Sequence, residues 1–184
     1  MWRSFQYVDR KVFVTLYKSM IRPHLEYASS IWSPHTWKQA EEIEKIQRRA
    51  TKRVAELREL PYEERLKALH LPTLVYRRLR GDLINVYKYM KNQYDVKPIT
   101  RKDPDDTRRG HSFKLHKATC RTDKRLYFFS FRAIDWWNNI PQEVIEAPSI
   151  DAFKNRLDNH FSDHPVVYRY RALDNPVKPK MTVS

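Results

Sequence analysis

Three aspartates, Asp103, Asp105 and Asp106, crowd into the stretch "KDPDDTRR". Carboxylates this close can hold divalent cations, and phosphoryl transfer uses such groups to place Mg²⁺. These lie in a proline-interrupted polar stretch with no hydrophobic strand to fix their geometry, so a solvated turn is the better reading. His111, His116 and Cys120 offer zinc ligands, with Asp123 as a fourth. Their spacing matches no closed zinc motif, and an alternating strand sends His111 and His116 to opposite faces. Serine, histidine and aspartate are scattered without the elbow-like context of a nucleophilic triad. Glycine occurs only at Gly81 and Gly110, which rules out a dinucleotide fingerprint, a phosphate loop or a glycine-rich lid. What remains is the chemistry of cations. In 184 residues, 36 Lys and Arg against 22 Asp and Glu leave a formal charge of +14. Such an excess concentrates polyanions, so nucleic acid is the first candidate partner, whether RNA, DNA or an RNA–DNA duplex.

Cations need elements to present them, and the apolar pattern predicts helices. Asp9 is a plausible N-cap for a first helix with Phe13, Leu16, Tyr17 and Met20 on one side, ending near Ile21. Pro23 then opens a second, short helix carrying Leu25, Tyr27, Ala28 and Ile31. A third helix begins near Trp37. In it Ile43, Ile46, Ala50, Val54 and Leu57 make a narrow stripe that should face the core. Lys45, Arg48, Arg49, Lys52 and Arg53 fall on the opposite side. Glutamates lie near the start of this helix and cations near its end, so part of the pattern complements the helix dipole. Five cations exceed what a dipole uses over its last turn, and a phosphate-facing surface is the alternative.

A fourth helix follows Pro61, with Leu66 and Leu69 inward, and a fifth follows Pro72 and Thr73, with Val75, Leu79, Leu83, Val86 and Met90 in register. Gly81, in its interior, implies a close helix crossing or a bend. Arg77, Arg78 and Arg80 surround that point as further candidate cations. The fold class expected is mainly α: a helical bundle over residues 1–94, a polar linker over 95–110 and a small aromatic-rich helical subdomain over 111–161. That subdomain starts with one short extended arm at "HSFKLHKATC". A sixth helix is expected from Lys124 to Asn138, where Trp136 and Trp137 cannot both face one core. One of them is left to dock a neighbour or to stack a base. Ser149 caps a last helix with Ile150, Phe153 and Leu157 inward, and residues 162–184 read as a loose tail. The lone Cys120 excludes an internal disulfide and points to a reducing compartment. No apolar run reaches the roughly 18 residues of a membrane helix, and the N-terminus lacks a signal-peptide core. The expected place is therefore the nucleus or cytoplasm, with no membrane partner.

The run "SFQYVDRKVFVTLYKSMIRPHLEYASSIWSPH", then "EKIQRRATKRVAELRELPYEERLKALHLPTLVYRRLRGDLINVYK", then "CRTDKRLYFFSFRAIDWWNNIPQEVIEAPSIDAFKNRLD" resembles the C-terminal part of non-LTR (LINE-type, jockey-like) retrotransposon reverse transcriptases. The likeness extends from Ser4 to Phe161. In that family this region supplies the thumb and a C-terminal extension after the polymerase palm. The resemblance implies a helical bundle that grips a primer–template duplex through its backbone and docks on the palm of its parent polymerase. It also implies a part of a longer RNA-directed DNA polymerase, Met1 being an internal methionine. The aromatic-x-Asp-Asp motif that holds Mg²⁺ in the palm has no counterpart here, since Asp105-Asp106 follow Asp103-Pro104. No activity and no cofactor are therefore expected of this chain by itself, Mg²⁺ belonging to the missing palm. No contact residue of the family is carried over, so the cations named above, with Arg108 and Arg109 in "TRRGHSFKLHK", rest on charge and helical geometry. The competing reading is a protein-docking module whose basic charge is incidental.

Overall fold

A computed structural model describes residues 9–94, 113–117, 119 and 122–173 of the chain. The aspartate cluster, Arg108, Arg109, His111 and Cys120 lie outside the described residues. The protein is mainly α-helical, and among the described residues no β-strand forms.

Helix α1 (Arg10–Leu16) starts where expected, the Asp9 carboxylate accepting from the Lys11 N–H at 3.3 Å. It does not stop at Ile21. The rod continues through a π turn (Tyr17–Ile21) into α2 (Arg22–Glu26), with the Arg22 N–H bonding the Tyr17 carbonyl five residues back. Pro23 lacks an N–H, and its ring would clash with the carbonyl four residues earlier; widening the preceding turn relieves both problems without breaking the helix. The extra residue shifts the register. Phe13 and Tyr17 stay fully buried, while Met20, expected inward, is exposed and Ile21 packs in its place. The rod ends at Glu26, and Ala28 turns the chain with a left-handed φ of 50°. Tyr27 and Ile31, expected on a second helix, are instead 78% and 75% exposed.

Helix α3 (Trp37–Thr51) is capped by Thr36, and a 3₁₀ turn (Ala55–Leu57) leads to α4 (Tyr62–Leu69). Val54, Leu57, Leu66, Leu69 and Leu71 close a small core over Phe13 and Tyr17. Helix α5 (Leu74–Met90), capped by Thr73, is the central element. Val75, Leu79, Leu83, Val86 and Met90 are buried as the periodicity predicts, and so are Leu74, Tyr76 and Tyr87 on its other sides. No neighbour crosses closely at Gly81: a methyl placed there meets nothing within 4 Å.

The predicted sixth helix is two. Helix α6 (Asp123–Leu126) stops before Phe128, which is extended, and α7 (Phe129–Asn138) starts anew. Helices α8 (Gln142–Ile145) and α9 (Ile150–Phe161) follow, the latter capped by Ser149. The larger core joins α5 to α7, α8 and α9, so it is shared across the expected 95–110 boundary. Both tryptophans of α7 are buried, against the expectation of one free ring: Trp137 meets Phe153 on one side, and Trp136 meets Phe161 and His164 on the other. Residues 113–117 form the extended arm, held by Asn138 in both directions at Leu115 and by the Trp137 indole N–H donating to the Phe113 carbonyl at 2.8 Å.

The expected loose tail is ordered over 162–173. Val166, Val167 and Leu173 are buried, and Thr73 donates its N–H to the Val167 carbonyl at 2.8 Å and its hydroxyl to the Val166 carbonyl at 2.7 Å. Arg169 pairs with Glu63 and Arg171 with Glu41, tying the segment across α3 and α4. A few apolar anchors suffice because their backbone finds partners as well.

Candidate nucleic-acid interface

The site begins with the orientation of α3, which differs from the sequence expectation. Its inner face is Ala40, Glu44, Gln47 and Thr51, all fully buried, while Ile46 is 45% exposed and Ile43 and Ala50 are half-buried. A polar face can go inward only if each polar atom is satisfied, and here partners are supplied from distant segments. The Glu44 carboxylate accepts from the Tyr62 hydroxyl at 2.7 Å and from the Leu74 N–H at 3.1 Å. It therefore caps the start of α5, where the helix dipole favours an anion. Burial pushes the Glu44 carboxyl above its ordinary range, and the bonds from Tyr62 and Leu74 pull it back. Gln47 accepts from the Tyr17 hydroxyl and donates to the Pro72 carbonyl at 3.0 Å. Thr51 accepts from the Arg65 guanidinium at 3.1 Å. Burial raises the Tyr17 and Tyr62 phenols far above their usual range, so both remain donors.

With that face locked inward, the outward face is set. At about 100° per residue, Lys38, Lys45, Arg49 and Lys52 fall within an arc of about 60° on the far side, Lys52 being the residue that ends the helix. From Lys38 to Lys52 the row runs roughly 21 Å at about 1.5 Å per residue. Lys45 has an exposed partner, Glu42, at 2.6 Å. Among the described residues Arg49, Lys52 and Arg53 have no carboxylate partner. Arg53 follows the helix end and is likewise exposed.

The other cations singled out by the sequence that lie among the described residues are engaged within the protein. Arg48 lies between the Tyr62 and Tyr170 rings at 5.2 and 5.4 Å and donates to the Tyr170 hydroxyl at 2.9 Å. Arg77 grips Glu26 through two bonds of 2.7 and 2.8 Å. Arg80 grips Asp158 the same way, at 2.5 and 2.7 Å. Arg78 is 5% exposed, beneath the Trp32 indole at 5.7 Å. The structure thus brings Lys45, Arg49, Lys52 and Arg53 to one surface and leaves Arg48, Arg77, Arg78 and Arg80 in the framework. Lys38 joins the surface, although the sequence pattern did not single it out. Its signal was available: it stands seven residues before Lys45, two helical turns away.

Among the described residues no group of three His, Cys, Asp or Glu is placed to hold a metal ion. No described helix is long and apolar enough to cross a membrane. Comparison of the chain with protein-family models, with curated proteins and with solved structures gave no match.

Proposed function

We propose that this protein binds nucleic acid through the outer face of α3, following the phosphates of a duplex without reading its bases. In this reading it is a thumb-like module of a retrotransposon RNA-directed DNA polymerase, catalytically inert alone, acting in a ribonucleoprotein of the nucleus or cytoplasm beside a palm that would hold the Mg²⁺. The observation that carries the reading is the row of Lys38, Lys45, Arg49 and Lys52 on a helix whose opposite face is pinned by Glu44, Gln47 and Thr51. Phosphate contacts fix register and orientation but carry no sequence information, which suits a row of cations on a rigid rod. The net charge of +14 adds long-range attraction to any polyanion.

The test is salt dependence. Replacing Lys45, Arg49 and Lys52 by glutamine leaves every buried bond of α3 in place. Affinity for an RNA–DNA duplex should fall by similar factors on different sequences. The salt slope should become shallower by up to about 0.9 for each phosphate that the variant no longer neutralises. A triple variant with unchanged affinity and slope means that the face is only solvated, and favours a protein-docking module.

A further inference from the structure

Arg78, on α5, is buried without a carboxylate of its own. Its Nη1 donates to the Leu74 carbonyl at 3.4 Å, and its guanidinium carbon lies over the Trp32 ring at 5.7 Å. The ring attracts the charge, but Nε and Nη2 have no acceptor among the described residues. Donors buried this deeply are nearly always paired, and leaving two unpaired on a charged group is costly. Three other arginines of the protein use that same edge. Arg77 presents Nε and Nη2 to Glu26, Arg80 to Asp158 and Arg132 to Asp82, each as a two-bond fork on a carboxylate. The carboxylates nearest Arg78 are thereby taken: Glu26 by Arg77, Asp82 by Arg132, and Glu44 by the Tyr62 hydroxyl and the Leu74 N–H. Burial works against the Arg78 charge and Glu44, Glu26 and Asp82 support it from a distance, so a further anion in direct contact would add to a field already arranged to hold the cation.

Arg78 lines a cavity of about 20 Å³ between α5, α7 and the segment after α9. We propose that this cavity binds a small carboxylate, gripped by Nε and Nη2 of Arg78. Three features select that ligand. First, the two donors form the planar fork that matches the two oxygens of a carboxylate. Second, the volume holds roughly one to two water-sized groups, enough for the head of a carboxylate and too little for a phosphate. Third, the walls combine apolar surface with a single unbalanced charge. Pro34, Trp136 and Leu173 are apolar, and Asp82 and Arg132 neutralise each other at 2.7 Å, which leaves Arg78 as the cation to be met. Concave apolar walls with a few fixed polar groups are the usual make-up of a small-molecule site. Half-buried Ser33 also lines the cavity, so the space reaches the surface.

The full-length protein should be titrated by calorimetry with sodium formate, sodium acetate and sodium chloride at fixed ionic strength. N-acetyl-aspartate amide, titrated in the same way, stands in for a carboxylate carried on a protein side chain. The ceiling on binding energy per atom places a ligand as small as formate near about 1 mM at best. Formate or acetate should bind saturably at one site, at least about tenfold tighter than chloride, because only the carboxylate fills both arms of the fork. The melting temperature should rise with the same concentration dependence. Arg78→Lys keeps the charge and removes the fork, and should lose the preference for carboxylate over chloride. If that variant does not fold, the wild-type titrations decide alone. Tighter binding of formate than of the blocked aspartate assigns the site to a free acid, and the reverse assigns it to a side-chain carboxylate; either supports the proposal. Weak, non-saturating responses to all four solutes overturn it and leave the cavity to water. A carboxylate preference that folded Arg78→Lys keeps in full overturns it as well.

Discussion

Gly81 lies mid-helix in α5, where glycine costs about 1 kcal/mol relative to alanine, and nothing in the structure requires it. Gly81→Ala should therefore stabilise the protein by up to about that amount, measured by chemical denaturation; a destabilised variant would show that the site is more crowded than the geometry indicates. His160 and His164 bear on pH. Burial holds both imidazoles below their ordinary value, and His160 adds to the effect at His164. Above about pH 6.5 folded and unfolded chains are both neutral at these positions. As pH falls below that, the unfolded chain takes up protons that the folded chain refuses, and stability declines until the folded imidazoles titrate. His164 Nδ1 also accepts from the Val166 N–H at 3.2 Å, a bond that protonation there removes. His164→Asn keeps a capping acceptor and removes the titration. Its loss of melting temperature between pH 7.5 and 5.5 should be smaller than that of wild type; an equal loss assigns the acid sensitivity elsewhere. At this scale the sequence was legible where a side chain's role is local. Asp9, Thr73 and Ser149 stand at the helix starts that the sequence marks, and each caps its helix. It was illegible at Glu44 and Gln47, whose burial depends on Tyr17, Tyr62, Pro72 and Leu74, and nothing within α3 announces those partners.

Among the elements, the segment after α9 carries the clearest energetic claim. Val166, Val167 and Leu173 are apolar and buried, and each fully buried side chain of that kind contributes about 1.5–3 kcal/mol. Ending the chain after Asp163 removes all three and both bonds to Thr73, a loss comparable with much of a domain's total of about 5–15 kcal/mol. The truncated protein should melt at least about 10 °C lower or fail to fold, as followed by circular dichroism. By contrast Glu63→Ala, which breaks the pairs with Arg169 and Lys67, should cost no more than about 1.5 kcal/mol. If the two changes have similar effects, the segment is held by its charges and not by its valines. The helical period of α5 was readable because its apolar stripe is real and buried. That of α3 misled, because Ile43, Ile46 and Ala50 repeat at the same spacing as the polar face that is actually inside. Pro23 misled for another reason: a proline predicts a break, and a π turn is a way of avoiding one that leaves no mark in composition.

For the whole molecule, the mainly helical class follows from the periodicity. The sharing of one core by α5 and α7–α9 does not, since periodicity says which face is apolar and not which partner covers it. Tyr168 packs against both apolar clusters, and Thr73 bonds to the Val166–Val167 turn across 93 residues of sequence. Two parts joined in this way should unfold together. Tryptophan fluorescence and far-ultraviolet circular dichroism should report one coincident thermal transition; two resolved transitions would mean that the clusters are independent. The central place of α5 has a further meaning for biosynthesis. It is made before α7, α8 and α9, which cover much of its apolar surface, and Leu79, Leu83 and Val86 are complete well before the chain reaches Leu173. At about 5–20 residues per second that interval is roughly 4–17 s, far longer than collapse of a chain takes. Until α7 and α9 have been made, the new helix presents an apolar stripe to the cell, so that interval is when the growing chain is most exposed to aggregation.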